Sequence, residues 1–289
     1  MFSYDEMTTR NQGFVSNDEQ NALKSSTVFV CGNGGMGGAC IQALVRMGVG
    51  KLILADVDEF EISNLNRQVF CNLHGVGLHK SNVTAKMCRN INPEIDIEVY
   101  GLEWMELAEG LVSRSDIVVN GTDDLAATLL LYRTAREQNK VMIDAYAAPL
   151  PSVYVTKPTD PAHETRLGFQ TEQTDWRSIS QDQRESAFMA EAEYVVLNSS
   201  SRHYIDLDLI GDVITGKRGR PSFAPMVITT GMLMAYECAN GVMGRPFGAN
   251  CQGYFLNPYR GRVERPNPKW MSAVIRPFVR RFLARLLSQ

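Results

Sequence analysis

Residues 27–58, TVFVCGNGGMGGACIQALVRMGVGKLILADVD, decide the fold. TVFVCG (27–32) is a short apolar run, rich in β-branched residues, that ends on glycine and reads as a buried strand. GMGGACIQALVRMGVG (35–50) carries Ile41, Leu44, Val45 and Met47 at helical spacing and meets a stop at Gly48 and Gly50. KLILADVD (51–58) is a second strand ending in acids. A strand, a glycine turn, a helix and a second strand make a βαβ unit, which places the two strands parallel in one sheet.

The alternation continues outward from this unit. HKSNVTAKMCRNIN (79–92) is helical up to Pro93, and IDIEVYG (95–101) forms a third strand. MELAEGLVSR (105–114) is a helix, SDIVVNGTDD (115–124) a fourth strand with a polar end, LAATLLLYRTAREQ (125–138) a helix and KVMIDAYA (140–147) a fifth strand. Such alternation implies a doubly wound, mostly parallel sheet with helices on both faces. Periodicity fades beyond Pro151. Residues 156–222 are polar up to AFMAEAEYVV (187–196), too long for a plain connection, and read as a functional insertion with local helix. APMVITTGMLMAYECANG (224–241) is a buried apolar helix, and QGYFLNPYRGRVERP (252–266) a closing strand pair turning at Asn257-Pro258.

The composition is that of an ordinary globular chain: 289 residues, 44% hydrophobic and 21% charged. No run of apolar residues is long enough to span a bilayer, and the polar start MFSYDEMTTRNQGF does not resemble a secretory signal, so a cytoplasmic location is expected. The net charge of −3 does not suggest nucleic-acid binding, but it hides an asymmetry. Arg260–Gln289 holds eight basic residues and one acid, a net of +7, which leaves −10 for the rest. Its end, KWMSAVIRPFVRRFLARLLSQ (269–289), reads as a basic amphipathic helix with Pro277 in its first turn. Phe278, Phe282, Leu286 and Leu287 can share one face, away from Arg276, Arg280, Arg281 and Arg285. That helix either packs on its own domain or a partner subunit, or lies on an anionic membrane surface. The six cysteines contain no CxxC pair and read as reduced and mostly buried; no structural zinc is expected.

Gly32-x-Gly34-x-x-Gly37 sits between a strand and a helix, where glycines let backbone approach phosphates and the helix offers free N–H groups. Asp56, nineteen residues after Gly37, is placed to accept ribose hydroxyls. NAD, FAD and ATP all fit this much. Beyond it the chain supplies Asn64, Arg67 and Gln68 in SNLNRQ (63–68), then Lys80, then Asp123 and Asp124. In a doubly wound sheet the loops at the carboxyl ends of the strands converge on one crevice. Two cations facing a helix N-terminus there suit a triphosphate, and Asp123 suits Mg²⁺.

With these residues in place, the sequence resembles the ThiF/MoeB/HesA group of the ubiquitin-activating-enzyme-like superfamily. The resemblance rests on GNGGMGG (32–38), LADVDEFEISNLNRQ (54–68), GLHK (77–80) and NGTDD (120–124), over about Arg10–Pro149 and Pro225–Pro266. It implies a Rossmann-like sheet with antiparallel C-terminal strands, and an adenylation domain over 1–266 followed by the helix of 267–289. It also implies ATP at Gly34, Gly35, Asp56, Asn64, Arg67, Gln68 and Lys80, with Asp123 linked to magnesium. RNQG (10–13) resembles the segment whose arginine reaches a partner's ATP, so Arg10 would act in trans within a homodimer. The NGTDD form has Asp124 where asparagine is commoner in the group. Many members carry two zinc-binding CxxC pairs, absent here, and members that load a cysteine usually hold it in the crossover region. Between Cys88 and Cys238 this chain has no cysteine. The expected activity is ATP-dependent adenylation of a carboxylate, on a protein, a peptide or a small acid, for transfer to an external nucleophile. Two other readings remain open: a non-catalytic nucleotide-binding subunit, and an NAD(P)-dependent oxidoreductase. The second needs an acid or base beside a nicotinamide slot, and the sequence marks none.

Overall fold

The computed structural model describes residues 2–146, 148–206, 209, 213 and 218–287, with residues 285–287 as backbone only. Two short helices, α1 (Tyr4–Thr8) and α2 (Asn17–Ser25), precede the sheet. Ser16 opens α2 with a reciprocal capping box to Glu19, which satisfies two otherwise orphaned N–H groups. The doubly wound part follows as β1 (Thr27–Cys31), α3 (Gly35–Met47), β2 (Lys51–Ala55), α4 (Lys80–Ile91), β3 (Asp96–Tyr100), α5 (Trp104–Ser113), β4 (Ile117–Asn120), α6 (Leu125–Glu137) and β5 (Val141–Asp144). After β6 (Ser152–Thr156) come α7 (His163–Leu167), α8 (Gln181–Asn198), α9 (Ala224–Val242), β7 (Tyr254–Asn257), β8 (Arg262–Glu264) and α10 (Lys269–Leu287).

All the strands join one sheet, in the order β3-β2-β1-β4-β5-β6-β7-β8. The first five are parallel, with Val28 level with Leu52 on one side and with Ile117 on the other. β6, β7 and β8 extend the sheet antiparallel. The expected fold class is therefore the observed one, a Rossmann-like sheet with antiparallel C-terminal strands.

Alternation along β1 divides the core between two faces. Val28 and Val30 join Leu52, Leu54, Leu44 and Met234 on the side of α3 and α9. Phe29 and Cys31 join Ile53, Trp104, Leu111 and Leu131 on the side of α5 and α6. Phe29 and Trp104 meet edge to face at 6.1 Å, and full burial of such side chains contributes about 1.5–3 kcal/mol each. α9 lies very close to α3. A Cβ on Gly231 would come within 2.4 Å of the Met36 carbonyl and 2.6 Å of Ala39 Cβ, so glycine is what lets the two backbones approach.

Three sequence expectations change in detail. β6 was not anticipated; its side chains are all buried between β5 and β7, behind a Pro-Leu-Pro segment that masks the strand pattern. α8 starts six residues before the apolar stretch at Ala187, opened by a Ser180–Gln183 capping box. The C-terminal helix begins at Lys269, so Pro277 lies within it and not in its first turn. Its buried face holds Val279 and Leu283, with Ile275 and Phe282 partly buried, packed with Leu197 of α8. Phe278 instead points to solvent, 66% exposed, while Arg276 and Arg280 pair with Glu193 of α8. The side chains of Arg285, Leu286 and Leu287 lie outside the described residues, as do 207–208, 210–212 and 214–217 of the insertion. All six cysteines are free, and four of them are buried.

Candidate nucleotide and substrate site

The glycine loop is built by backbone contact. Gly32 has φ +86°, a conformation that L side chains rarely adopt, and the Gly121 backbone lies directly against it. Gly121 N–H donates to the Cys31 carbonyl at 2.6 Å, so the ends of β1 and β4 touch. Gly34 is the N-cap of α3 and Gly35 begins the helix, with Val227 of α9 packed against it. No side chain caps the first turn of α3, so its N–H groups are left to meet an anion.

Asp56 is 8% exposed and fixes the loop from below. Its Oδ2 accepts the Asn33 N–H at 2.6 Å and its Oδ1 the Asp58 N–H at 2.9 Å. Burial pushes the Asp56 carboxyl up, opposed by these two N–H groups and by Lys80. Lys80, also buried, reaches Asp58 at 2.8 Å. Asn64 is buried and caps its own turn, accepting the Glu61 N–H at 3.1 Å. Arg67 is held by the Ser63 carbonyl and by Asn66 Oδ1, both at 2.9 Å, with its aliphatic stem beside Gly35. Asn66 in turn donates to the Ser222 carbonyl at 3.0 Å, linking this stretch to the end of the insertion. Gln68 is buried next to Gly34, and its amide oxygen has no hydrogen-bond partner. An unsatisfied amide facing a glycine loop is what a ligand-contacting residue looks like before its ligand arrives.

An open cavity of about 170 Å³ continues from Met36 in the first turn of α3. Asp123 lies on it, exposed, and makes no hydrogen bond or ion pair among the described residues. Asp124 has a structural task instead: one oxygen caps α6 through the Ala127 N–H at 2.9 Å, and the other pairs with Arg184 of α8. Arg10 is elsewhere. Its neighbour Asn11 donates to the Met47 carbonyl, at the opposite end of α3 from the glycine loop, roughly 18 Å along the helix. The structure therefore gathers the glycines, Asp56, Asn64, Arg67, Gln68, Lys80 and Asp123 at the carboxyl ends of the strands, and leaves Arg10 apart.

Sequence reasoning missed the far wall of the cavity. Asp144 and Tyr146 come from the end of β5, and Arg184, Phe188 and Glu191 from α8. The i, i+4, i+7 spacing of the α8 residues was visible, but nothing marked which way that face points. Burial pushes the Asp144 carboxyl up to about 6, against the Tyr132 hydroxyl, the Ala145 N–H and the Asn120 amide, which all donate to it. Glu191 is pushed up to about 7, first by burial and then by the neighbouring Asp144, with Arg220 and Arg166 opposing. A carboxyl whose folded pKa lies above its usual 4.5 adds stability below that value and loses it as pH rises toward about 7. Glu191→Gln, neutral throughout, should melt a few degrees above the parent near pH 8 and level with it near pH 4. Thermal melts across that range check this.

The arrangement has the form of the crevice at the carboxyl ends of a doubly wound sheet, with a second chamber beside it. The chain belongs to the ThiF family, which it matches over residues 8–269. It is 30% identical over 125 residues to a probable molybdopterin-synthase adenylyltransferase of Porphyra purpurea, covering 43% of this chain and 33% of that one. A SAMP-activating enzyme E1 of Haloferax volcanii is 37% identical over 123 residues, covering 42% of this chain and 46% of that one. The chain thus spans less than half of these curated relatives. In fold it resembles E. coli MccB solved with ATP, with TM-score 0.64 and 19% identity, over 91% of this chain and 70% of that one.

Proposed function

We propose that this chain is an ATP-dependent adenylyltransferase: a substrate carboxylate attacks the α-phosphorus of ATP, pyrophosphate leaves, and an acyl-adenylate forms. The observation that carries the reading is the pair of cations, Arg67 beside the first turn of α3 and Lys80 paired with Asp58 near Asp56, with the unpaired Asp123 on the adjoining cavity. A hydride-transfer site needs no such clamp. The relatives described above, an adenylyltransferase and an activating enzyme by name, point the same way. Positioning and charge neutralisation supply most of the catalysis in such a reaction. Asp123 fits Mg²⁺, which takes one or two carboxylates together with phosphate oxygens, and when bound it would act as Lewis acid on the phosphates. Residues 1–266 serve as the adenylation domain, and α8 of the 156–222 insertion forms the wall that meets the carboxylate substrate. With no cysteine between Cys88 and Cys238, the acyl group passes to a nucleophile from outside.

The test is exchange of labelled pyrophosphate into ATP, with candidate peptides, carrier-protein C-termini and small acids. Acid-dependent exchange supports the reading, and preferential binding of NADH over ATP overturns it. A homodimer is part of the proposal, because Arg10 sits too far along α3 to serve its own site. Mixing inactive Arg10→Ala and Lys80→Ala chains should restore about a quarter of parental exchange, since random pairing makes half the dimers mixed and each mixed dimer has one intact site. No recovery would leave Arg10 without a role in trans.

α10 carries a second surface. Opposite its buried face it exposes Trp270, Val274 and Phe278, spaced four apart, beside the exposed Arg281. The chain has no acid after Glu264, which fits this face to an anionic bilayer surface. Vesicles of phosphatidylglycerol and phosphatidylcholine should shift Trp270 emission to the blue, and phosphatidylcholine alone should not. Among the described residues no helix is long and apolar enough to cross a membrane.

A further inference from the structure

Two arginines line the chamber that opens from the first turn of α3, and they are engaged differently. Arg184, on α8, is committed: its guanidinium pairs with Asp124, the residue that caps α6. Arg220, in the segment ahead of α9, makes no hydrogen bond and no ion pair among the described residues. Its guanidinium instead lies over the ring of Phe188, 4.8 Å from the centroid. Phe188 stands one turn beyond Arg184 on the chamber face of α8.

A cation drawn to the face of a ring is held in place without an anion neutralising it. The planar fork of N–H donors on Arg220 is therefore positioned but unspent, and such a fork matches a carboxylate oxygen by oxygen. The acids of the chamber do not take that place. Asp144 already accepts from Tyr132, Ala145 and Asn120. Glu191, a turn beyond Phe188, feels the Arg220 charge but forms no ion pair with it, and burial with Asp144 beside it holds its carboxyl up at about 7. Asp123 is the proposed magnesium ligand. The segment is also tied where a substrate carboxylate is needed. Two residues beyond Arg220, the Ser222 carbonyl accepts from Asn66 at 3.0 Å, and Asn66 Oδ1 accepts from Arg67. Met36, in the first turn of α3, lines the same chamber as Arg220.

We propose that Arg220, braced by Phe188, is the specificity-determining cation that holds the substrate's carboxylate in this chamber, with Phe188 as its positioning residue. What the held carboxylate is for rests on the adenylation reading; the binding itself does not. The guanidinium meets the full carboxylate charge before reaction, and that charge falls as the oxygen bonds to phosphorus. Arg220 therefore acts on affinity for the acid more than on turnover.

The probe is isotope-labelled acetate, followed by NMR line broadening in the presence of the full chain. α,β-Methylene-ATP fills the nucleotide site and blocks transfer, and chloride at equal ionic strength is the control. Saturable acetate binding is expected, weakened roughly tenfold or more by Arg220→Ala, the effect of losing a charged hydrogen-bonding partner. Phe188→Leu should weaken it about threefold, and Phe188→Trp should keep it near the parental value, since an indole face holds a guanidinium at least as well. The surface substitution Lys140→Ala should change nothing. Circular dichroism checks folding, and the exposed Arg220 keeps the test decisive should a Phe188 variant not fold. Absence of saturable binding, or binding that Arg220→Ala leaves unchanged, overturns the proposal. In pyrophosphate exchange, any acid that drives the reaction should show a KM at least about tenfold higher in Arg220→Ala, with kcat within about threefold and ATP affinity unchanged. Exchange indifferent to Arg220 overturns the carboxylate assignment and leaves adenylation standing. Acetate held through Arg220, with no acid driving exchange, overturns adenylation and leaves the assignment standing.

Discussion

Replacing Asp123 by alanine is expected to lower pyrophosphate exchange by roughly 10³-fold, the effect of losing about 4 kcal/mol of transition-state stabilisation. The fold should be untouched. Asp123 is exposed and makes no hydrogen bond or ion pair among the described residues, unlike Asp124, which caps α6 and pairs with Arg184. Asp124→Ala should therefore act through stability, with a loss of about 1 kcal/mol as for other caps. The two adjacent carboxylates so separate chemistry from architecture. Equal melting temperature with lost exchange in Asp123→Ala, and the reverse balance in Asp124→Ala, are the outcomes to measure. An Asp123→Ala chain that exchanges at the parental rate would remove this residue from the mechanism.

The second large effect is structural. Gly37→Ala adds one carbon, yet that carbon would lie 1.8 Å from the Gly32 carbonyl oxygen and 3.0 Å from its carbon. Neither backbone can yield, because Gly32 N–H donates to the Ala55 carbonyl at 2.7 Å and Gly121 packs on the opposite side. The substitution should cost roughly 3 kcal/mol or more, lowering the melting temperature by at least about 6 °C. Because the displaced loop is the one proposed to approach the phosphates, nucleotide affinity should fall with it. Calorimetry of ATP binding, run well below the melting transition, checks the second half. Unchanged affinity would show that the loop does not hold phosphate.

The parallel half of the sheet was legible because strands buried on both faces are short apolar runs punctuated by glycine, as TVFVCG is. β6 escaped because SVYVT follows Pro149 and Pro151 and precedes a polar stretch, so no alternation frames it. The first turns of α8, QDQRES, are polar all round and show no apolar stripe; the Ser180–Gln183 pair was the one local signal of where that helix starts. The C-terminal helix shows the limit of periodicity. The expected stripe ran through Phe278 and Phe282, whereas the buried one runs through Ile275, Val279, Phe282 and Leu283, because burial is decided by the meeting with α8 and not by the helix's own pattern. The nucleotide half of the site was readable since its residues cluster at strand ends in a fixed order. Asp144, Arg184 and Glu191 were not, because their meeting depends on how the insertion folds back over the sheet.

The Asn66–Ser222 hydrogen bond ties the turn that holds Arg67 to the last residues of the insertion, just ahead of the helix whose Val227 rests on Gly35. Anything that moves residues 218–223 therefore pulls on the phosphate side of the site. If the two chambers take acid and nucleotide as proposed, their binding shares a free energy through this link, and by thermodynamic necessity each ligand changes the other's affinity by the same factor. The acid to be activated and the nucleotide that activates it would be recognised jointly, so a poor acid would show itself first as weak nucleotide retention.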